Sequence, residues 1–165
     1  MSKLICQSEY LKPALIHRHV VNVIKGVRAI VAKNALEFDT IVFRGMSGTL
    51  IAPVVAFTLE KELLLVRKKK EDCHSWYSIE GNLAMQKYIV LDDCICSGDT
   101  LSAVFSAINE EGQRLRDNLR ENCDIDKATC VGIVLYNYEG KSQYTTSKNK
   151  TIPVFSFVVP GRYDI

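Results

Sequence analysis

The chain is 165 residues long, 47% hydrophobic and 24% charged, with a formal net charge of +2. That length fits one domain (1–165) with a buried core, the composition is that of an ordinary soluble protein, and so small a net charge argues against nucleic acid or a membrane surface as partner. No apolar run reaches the roughly 18 residues of a membrane span and the N-terminal MSKLICQSEYLK is too polar for a secretory signal, so a cytoplasmic protein is expected.

Taken in chain order, Leu11 to Lys33 opens with Pro13 and places Leu15, Ile16, His19, Val20, Val23, Ile24, Val27, Ile30 and Val31 on one stripe. The spacing predicts a long amphipathic helix on which His17 and His19 are structural. Phe38 to Arg44 (FDTIVFR) is a strand candidate. Behind it, Gly45-Met46-Ser47-Gly48-Thr49 reads as a loop that brings backbone close to an anion, with Arg44 as a fixed charge, and a helix is expected from about Leu50 to Leu59 with Pro53 in its first turn. Leu63 to Arg67 (LLLVR) is a short strand that runs into the basic cluster Arg67-Lys68-Lys69-Lys70. Arg67 and Lys68 are placed to steer a polyphosphate, while Lys69 and Lys70 serve equally well as a solvated strand edge. Glu71 to Gln86 lacks a clear period and reads as a mobile loop, and its Trp76-Tyr77-Ser78-Ile79-Glu80-Gly81 has the aromatics and acid of a binding lid.

Lys87 to Leu101 (KYIVLDDCICSGDTL) carries the strongest signal. Tyr88 to Leu91 suits a strand buried on both faces, and Asp92 and Asp93 stop it. Leu101, Val104, Phe105 and Ile108 then fall at helical spacing, so Ser97 to Thr100 occupies a helix entrance where free N–H groups and hydroxyls form an anion nest. Two acids beside such a nest call for a ligand with both hydroxyls and a phosphate, which a sugar phosphate satisfies. The acids equally suit Mg²⁺.

Gly112 to Asp126 is charge-rich with Leu115 and Leu119 at i, i+4, and reads as a surface helical extension without chemistry. Ala128 to Tyr136 is a buried strand, Asn137 to Lys150 a polar connection, and Ile152 to Val158 the last strand, with Pro153 near its start. Tyr163 in the tail is a candidate wall for a base pocket. The six cysteines (Cys6, Cys73, Cys94, Cys96, Cys123, Cys130) are scattered, and Cys94-x-Cys96 lacks the spacing of a zinc knuckle, so reduced thiols are expected. A helix followed by βαβ units and two closing strands predicts an α/β fold, a parallel sheet with helices on both faces.

Strand, Asp92-Asp93, three residues and then Ser97-Gly98-x-Thr100 strongly resembles the signature of the type I phosphoribosyltransferases. The resemblance runs from about Leu36 to Ile165 and implies that family's parallel-sheet fold with a small hood. It also implies binding of phosphoribosyl pyrophosphate with Mg²⁺: Asp92 and Asp93 on the ribose hydroxyls and metal, and Cys94, Ile95, Cys96, Ser97, Gly98, Asp99 and Thr100 on the 5′-phosphate. Arg44-Gly45-Met46-Ser47-Gly48 is similar to the pyrophosphate loop of adenine phosphoribosyltransferases, which implies a cis peptide between Phe43 and Arg44. Tyr77-Ser78-Ile79-Glu80 is similar to the flexible loop of the same enzymes, with Glu80 assisting proton transfer, although the tyrosine that follows there is absent here. Lys68, Lys70 and His74 resemble the loop of orotate phosphoribosyltransferases instead. Cys96 stands where the 6-oxopurine enzymes keep an aspartate, which argues against hypoxanthine or guanine. The implied activity is transfer of phosphoribose to a nucleobase with release of pyrophosphate, by a homodimer, with Asp92, Asp93, Glu80 and Arg44 catalytic. Asp99 places a carboxylate where most relatives have glycine or a basic residue. That departure keeps a second class open, a protein that senses a nucleotide or phosphoribosyl pyrophosphate without turnover.

Overall fold

The computed structural model of the chain describes residues 11–68, 77–119, 125–140 and 142–159. Seven strands form one sheet: β1 (Thr40–Arg44), β2 (Glu62–Val66), β3 (Ile79–Gly81), β4 (Lys87–Asp92), β5 (Thr129–Leu135), β6 (Gln143–Thr145) and β7 (Thr151–Ser156). Their order is β3-β2-β1-β4-β5-β7-β6. The inner five run parallel, and the short outer strands β3 and β6 pair antiparallel to β2 and β7.

Alternation along the strands builds two cores. Val42, Leu64, Tyr88, Val90, Ile133 and Leu135 face α4 (Asp99–Leu119), which adds Leu101, Val104 and Ile108. Ile41, Phe43, Ile89, Leu91, Val134 and Tyr136 face the other way, onto α2 (His17–Lys33) and α3 (Gly45–Leu59). This is the expected α/β sheet covered on both faces, and no helix among the described residues is long and apolar enough to cross a membrane.

Several elements differ from their sequence reading. The long N-terminal helix is broken at Ile16, whose extended backbone (φ −98°, ψ 121°) ends α1 (Lys12–Leu15) and whose carbonyl accepts from His19 and Val20 to start α2. Gly45 to Thr49 is not a loop: Gly45, at φ +75°, turns the chain directly from β1 into α3. The Thr49 hydroxyl therefore donates back to the Gly45 carbonyl at 2.8 Å, and Pro53 lies in the helix interior on an exposed face. No cis peptide bond occurs among the described residues, so the bond between Phe43 and Arg44 is trans. Glu71 to Gln86 is not wholly irregular, since β3 forms inside it, and β6 forms inside the Asn137 to Lys150 connection. α4 continues through Gly112 to Leu119, where Gly112 lets the helix touch the 3₁₀ turn Ile125–Lys127.

One glycine is indispensable to the β2–β3 pairing. Gly81 has φ +124°, and a Cβ built on it would lie 2.1 Å from the Leu63 carbonyl oxygen, so a side chain faces both backbone strain and a backbone clash. Gly81→Ala is expected to cost roughly 1–3 kcal/mol in urea denaturation; a midpoint equal to that of the parent would show that β3 does not pair as described.

Candidate active site

The carboxyl ends of the five parallel strands share one edge, and a cavity of about 250 Å³ opens there. Its walls are Arg44 to Ser47 from the β1–α3 junction, Lys68 beyond β2, and Asp92 to Leu101 from the β4–α4 connection. The strand order reverses between β1 and β4, which is where open α/β sheets form a crevice.

Asp92 and Asp93 end the central strand and are only 6% and 4% exposed. The Ser47 hydroxyl lies 3.3 Å from a carboxylate oxygen of each, yet it has one proton to donate. The Asp93 amide adds a bond to the Asp92 carboxylate at 2.9 Å. Beneath them the Tyr136 hydroxyl donates to the Ser47 carbonyl, and the Tyr136 and Asn137 amides donate to the Asp92 and Asp93 carbonyls, so α3, β4 and β5 are tied together at this point. Burial first, and the charge of Asp93 second, push the Asp92 carboxyl up from 3.8 to about 7.

The chain leaves β4 through Cys94, Ile95 and Cys96 to Gly98, whose φ of +89° bends it into α4. Ser97 accepts from the Asp99 amide, and the Gly98 carbonyl accepts from Ser102 to open the helix. The first turns of α3 and α4 both meet the cavity, bringing two sets of free N–H groups and two positive dipole ends toward one space. Lys68 reaches over Gly45, where a Cβ would lie 3.3 Å from the lysine Cε. Asp99 is exposed, and its charge adds to burial in raising the Tyr144 phenol. The Cys94 thiol is pushed up to about 12 by burial, then by Asp93 and Cys96, so it stays protonated and unreactive as a nucleophile.

No family model matches the chain. Among curated proteins it is 31% identical over 88 residues to the transcriptional regulator GfcR of Methanocaldococcus jannaschii, a stretch covering 49% of this chain and 42% of that protein. GfcR of Thermoplasma acidophilum is 28% identical over 91 residues, covering 52% and 44%. The match therefore spans less than half the length of these relatives. Solved structures align more completely. Adenine phosphoribosyltransferase from Thermoanaerobacter pseudethanolicus superposes with a TM-score of 0.56 at 13% identity, over 86% of this chain and 80% of that one. Orotate phosphoribosyltransferase from Mycobacterium tuberculosis, in complex with inorganic phosphate, gives 0.56 at 13% identity over 93% and 78%. The fold is that of the type I phosphoribosyltransferases.

Within this fold the cavity gathers Arg44, Gly45, Met46, Ser47, Lys68, Asp92, Asp93 and the whole of Cys94 to Thr100. Other residues singled out from the sequence lie elsewhere. Gly48 is buried against Phe43, where a Cβ would come within 3.0 Å of the phenylalanine Cβ, so its smallness serves packing. Glu80 stands on β3 with its carboxylate on Arg67, at 3.0 Å from Nε and 2.8 Å from a terminal nitrogen, and neither residue lines the cavity. Tyr77 lies under the Arg114 guanidinium at 4.6 Å, and Ser78 donates to Glu111, so the start of the expected lid is fastened to α4. Lys69, Lys70, His74, Trp76 and Tyr163 fall outside the described residues. Sequence reasoning missed Tyr136, which supports Ser47 from below. Nothing local in the sequence marks this role, which follows from the strand register that sets Asp92 beside Leu135.

The raised Asp92 carboxyl makes a testable statement about stability. Its folded-state value lies above the unfolded one, so protonation favours folding; the contribution is complete below about pH 4 and lost as pH rises through about 7. Asp92→Asn is expected to be more stable than the parent at pH 8, by on the order of a few kcal/mol at most, with the gap closing toward pH 4. A constant gap across that range, read by thermal unfolding, would rule out the buried charge as its cause.

Proposed function

We propose that the protein is a nucleobase phosphoribosyltransferase, a pentosyl-transferring enzyme of nucleotide salvage that joins a base to C1 of phosphoribosyl pyrophosphate and releases pyrophosphate. The observation that carries this reading is the division of charge in one cavity: two buried carboxylates at one side, and Arg44, Lys68 and two helix N-termini around them.

Asp92 and Asp93 accept from the ribose hydroxyls, and the nest from Cys94 to Thr100 holds the 5′-phosphate as remote binding energy. Arg44, Lys68 and the free amides of Gly45 to Ser47 face the pyrophosphate. In the step itself the C1–O bond to pyrophosphate breaks, both bonding electrons leave with pyrophosphate, and a ring nitrogen of the base bonds to C1 and sheds its proton. The carboxylates then stand beside the cationic ribose and the basic groups beside the departing anion, so stabilisation is electrostatic and preorganised. Among the described residues no three His, Cys, Asp or Glu side chains gather to hold a metal by themselves. The Asp92–Asp93 pair, two buried carboxylates with no cationic side chain paired to them among the described residues, fits Mg²⁺: these two residues would hold the ion, which would supply further neutralisation of the pyrophosphate. Glu80 serves as the proton acceptor only after leaving Arg67.

A specific observation favours a second reading. The curated relatives are named transcriptional regulators, and Glu80 is held in an ion pair away from the cavity, both as expected of a chain that senses phosphoribosyl pyrophosphate or a nucleotide without turnover. A pyrophosphate-release assay with adenine, guanine, hypoxanthine, orotate and uracil separates the two: release with one base supports the enzyme, whereas calorimetric binding without release for any base supports the sensor. In either case Asp92→Asn with Asp93→Asn is expected to abolish Mg²⁺-dependent binding of phosphoribosyl pyrophosphate while circular dichroism stays unchanged, and unchanged affinity would sink the assignment of both acids.

The proposal includes a homodimer. α3 is apolar all round, and Met46, Val54 and Phe57 stand 60%, 41% and 88% exposed on it, a stripe without charge that can meet its own copy across a two-fold axis. Phe57→Glu is expected to convert a dimer into a monomer in light scattering; a parent protein that is already monomeric would refute the pairing.

A further inference from the structure

A second cavity, of about 320 Å³, shares no residue with the first. It exists because α4 covers the β1–β2 half of its face of the sheet and packs on the 3₁₀ turn, whereas over β5 and β7 the sheet is flanked by the β6–β7 hairpin. The gap between helix and hairpin is a groove. Tyr88, Cys130 and Ile152, buried to within 6% of full coverage, form its floor. Phe105 from α4 and Tyr144 from β6 form an aromatic wall, stacked at 5.9 Å with 27° between the rings.

Two observations point to an occupant. Tyr88 is only 4% exposed, and among the described residues its hydroxyl has no hydrogen-bond partner. The fully enclosed polar side-chain atoms without a partner among these residues are the His19 ring nitrogens and do not include this hydroxyl, so it meets solvent in the groove, where an accepting ligand atom would take the place of water. Lys148 and Lys150 on the hairpin turn also line the groove, and among the described residues neither meets a carboxylate; Lys148 contacts the Asn109 amide oxygen at 3.3 Å. Of the two acids in the lining, Asp126 is engaged by Arg116 and Glu110 is exposed. An aromatic wall, a phenol hydroxyl at the floor that has no protein partner among the described residues, a side-chain amide and two cations at one end match a planar ring with polar edge atoms and an anionic group. The volume falls at the lower end of the range for small-molecule sites.

We propose that this groove is a second ligand site, distinct from the cavity at the carboxyl edge, for an aromatic anion the size of a nucleoside monophosphate. The ring lies against Phe105 and Tyr144 with an edge atom on the Tyr88 hydroxyl, and the phosphate meets Lys148 and Lys150. Nothing in this assignment depends on whether the first cavity turns over phosphoribosyl pyrophosphate.

Amide chemical-shift mapping on the full chain, titrated separately with AMP, UMP, uridine and inorganic phosphate, tests it. Saturable shifts at Ser106, Asn109, Tyr144 and Lys148 with at least one nucleotide are expected, separate from any at Cys94 to Thr100. Ser106→Trp, an exposed position on α4 that fills the groove, is expected to remove the first set and leave the second. Lys148→Glu with Lys150→Glu, on the exposed turn, is expected to weaken nucleotide binding at the groove at least tenfold, and provides the same answer should the tryptophan variant not fold. Shifts confined to Cys94 to Thr100, shifts at the groove that survive both variants, an equal response to inorganic phosphate alone, or no saturable shift with either nucleotide would each overturn the proposal.

Discussion

A single hydroxyl shared by two buried carboxylates at the end of the central strand governs the architecture of the carboxyl edge. Ser47 cannot neutralise Asp92 and Asp93; it only positions them, and the amides of Tyr136 and Asn137, just past the end of β5, hold their backbone in place from behind. Charges buried in this way cost stability, and the cost is endured because β4 is paired with β5 along its whole length and with β1 from Tyr88 to Val90. Arg44 and Lys68 line the same space but form no ion pair with the acids among the described residues. An internal salt bridge would have relaxed the site and spent its polarity. Kept apart, the two signs of charge remain available to a ligand that carries hydroxyls at one end and phosphates at the other.

The β1–α3 junction follows from the same constraint. Ser47 reaches Asp92 and Asp93 because α3 starts at Gly45, so the hydroxyl lies in the first helical turn, directly above the end of β4. With a flexible five-residue loop in its place, the hydroxyl would have no fixed position. Gly48 completes the arrangement by letting that turn settle on Phe43. Where a glycine-rich loop was expected to meet an anion, the chain instead presents a helix terminus, whose amides are already oriented.

Much of this was legible from residue order. The run from Tyr88 to Leu91, the acids that end it and the helical spacing after Thr100 located β4 and the start of α4 to within a residue, because burial on both faces and helix entry each leave a local pattern. The loop expected at Gly45 to Thr49 became helix because glycine marks where a chain can turn, and one positive φ at Gly45 was enough to turn it. Pro53 added to the misreading, since proline favours a first turn but is tolerated deeper on an exposed face. The short strands β3 and β6 escaped notice because three residues carry no period, and their pairing is decided by neighbours distant in sequence. For the same reason Glu80 could be seen as an acid near the site but not as the partner of Arg67, a contact set by the antiparallel register of β2 and β3.

The strand order has a consequence for the chain during its synthesis. β1 is made early, yet one of its two hydrogen-bonding edges belongs to β4, which emerges only after α3, β2 and β3 have been translated. Until then Ile41 and Phe43 have no strand beside them on that flank, and the parallel ladder on the other side is too narrow to bury them fully. Closure of so non-local a contact is slow relative to local helix formation, and the nascent chain meanwhile presents an open, apolar sheet edge. The ribosome-bound intermediate is therefore the form of this protein with most to gain from a holdase chaperone. The arrival of β4 closes that flank of β1 but opens an edge of its own, which is covered only when β5 and then β7 are made.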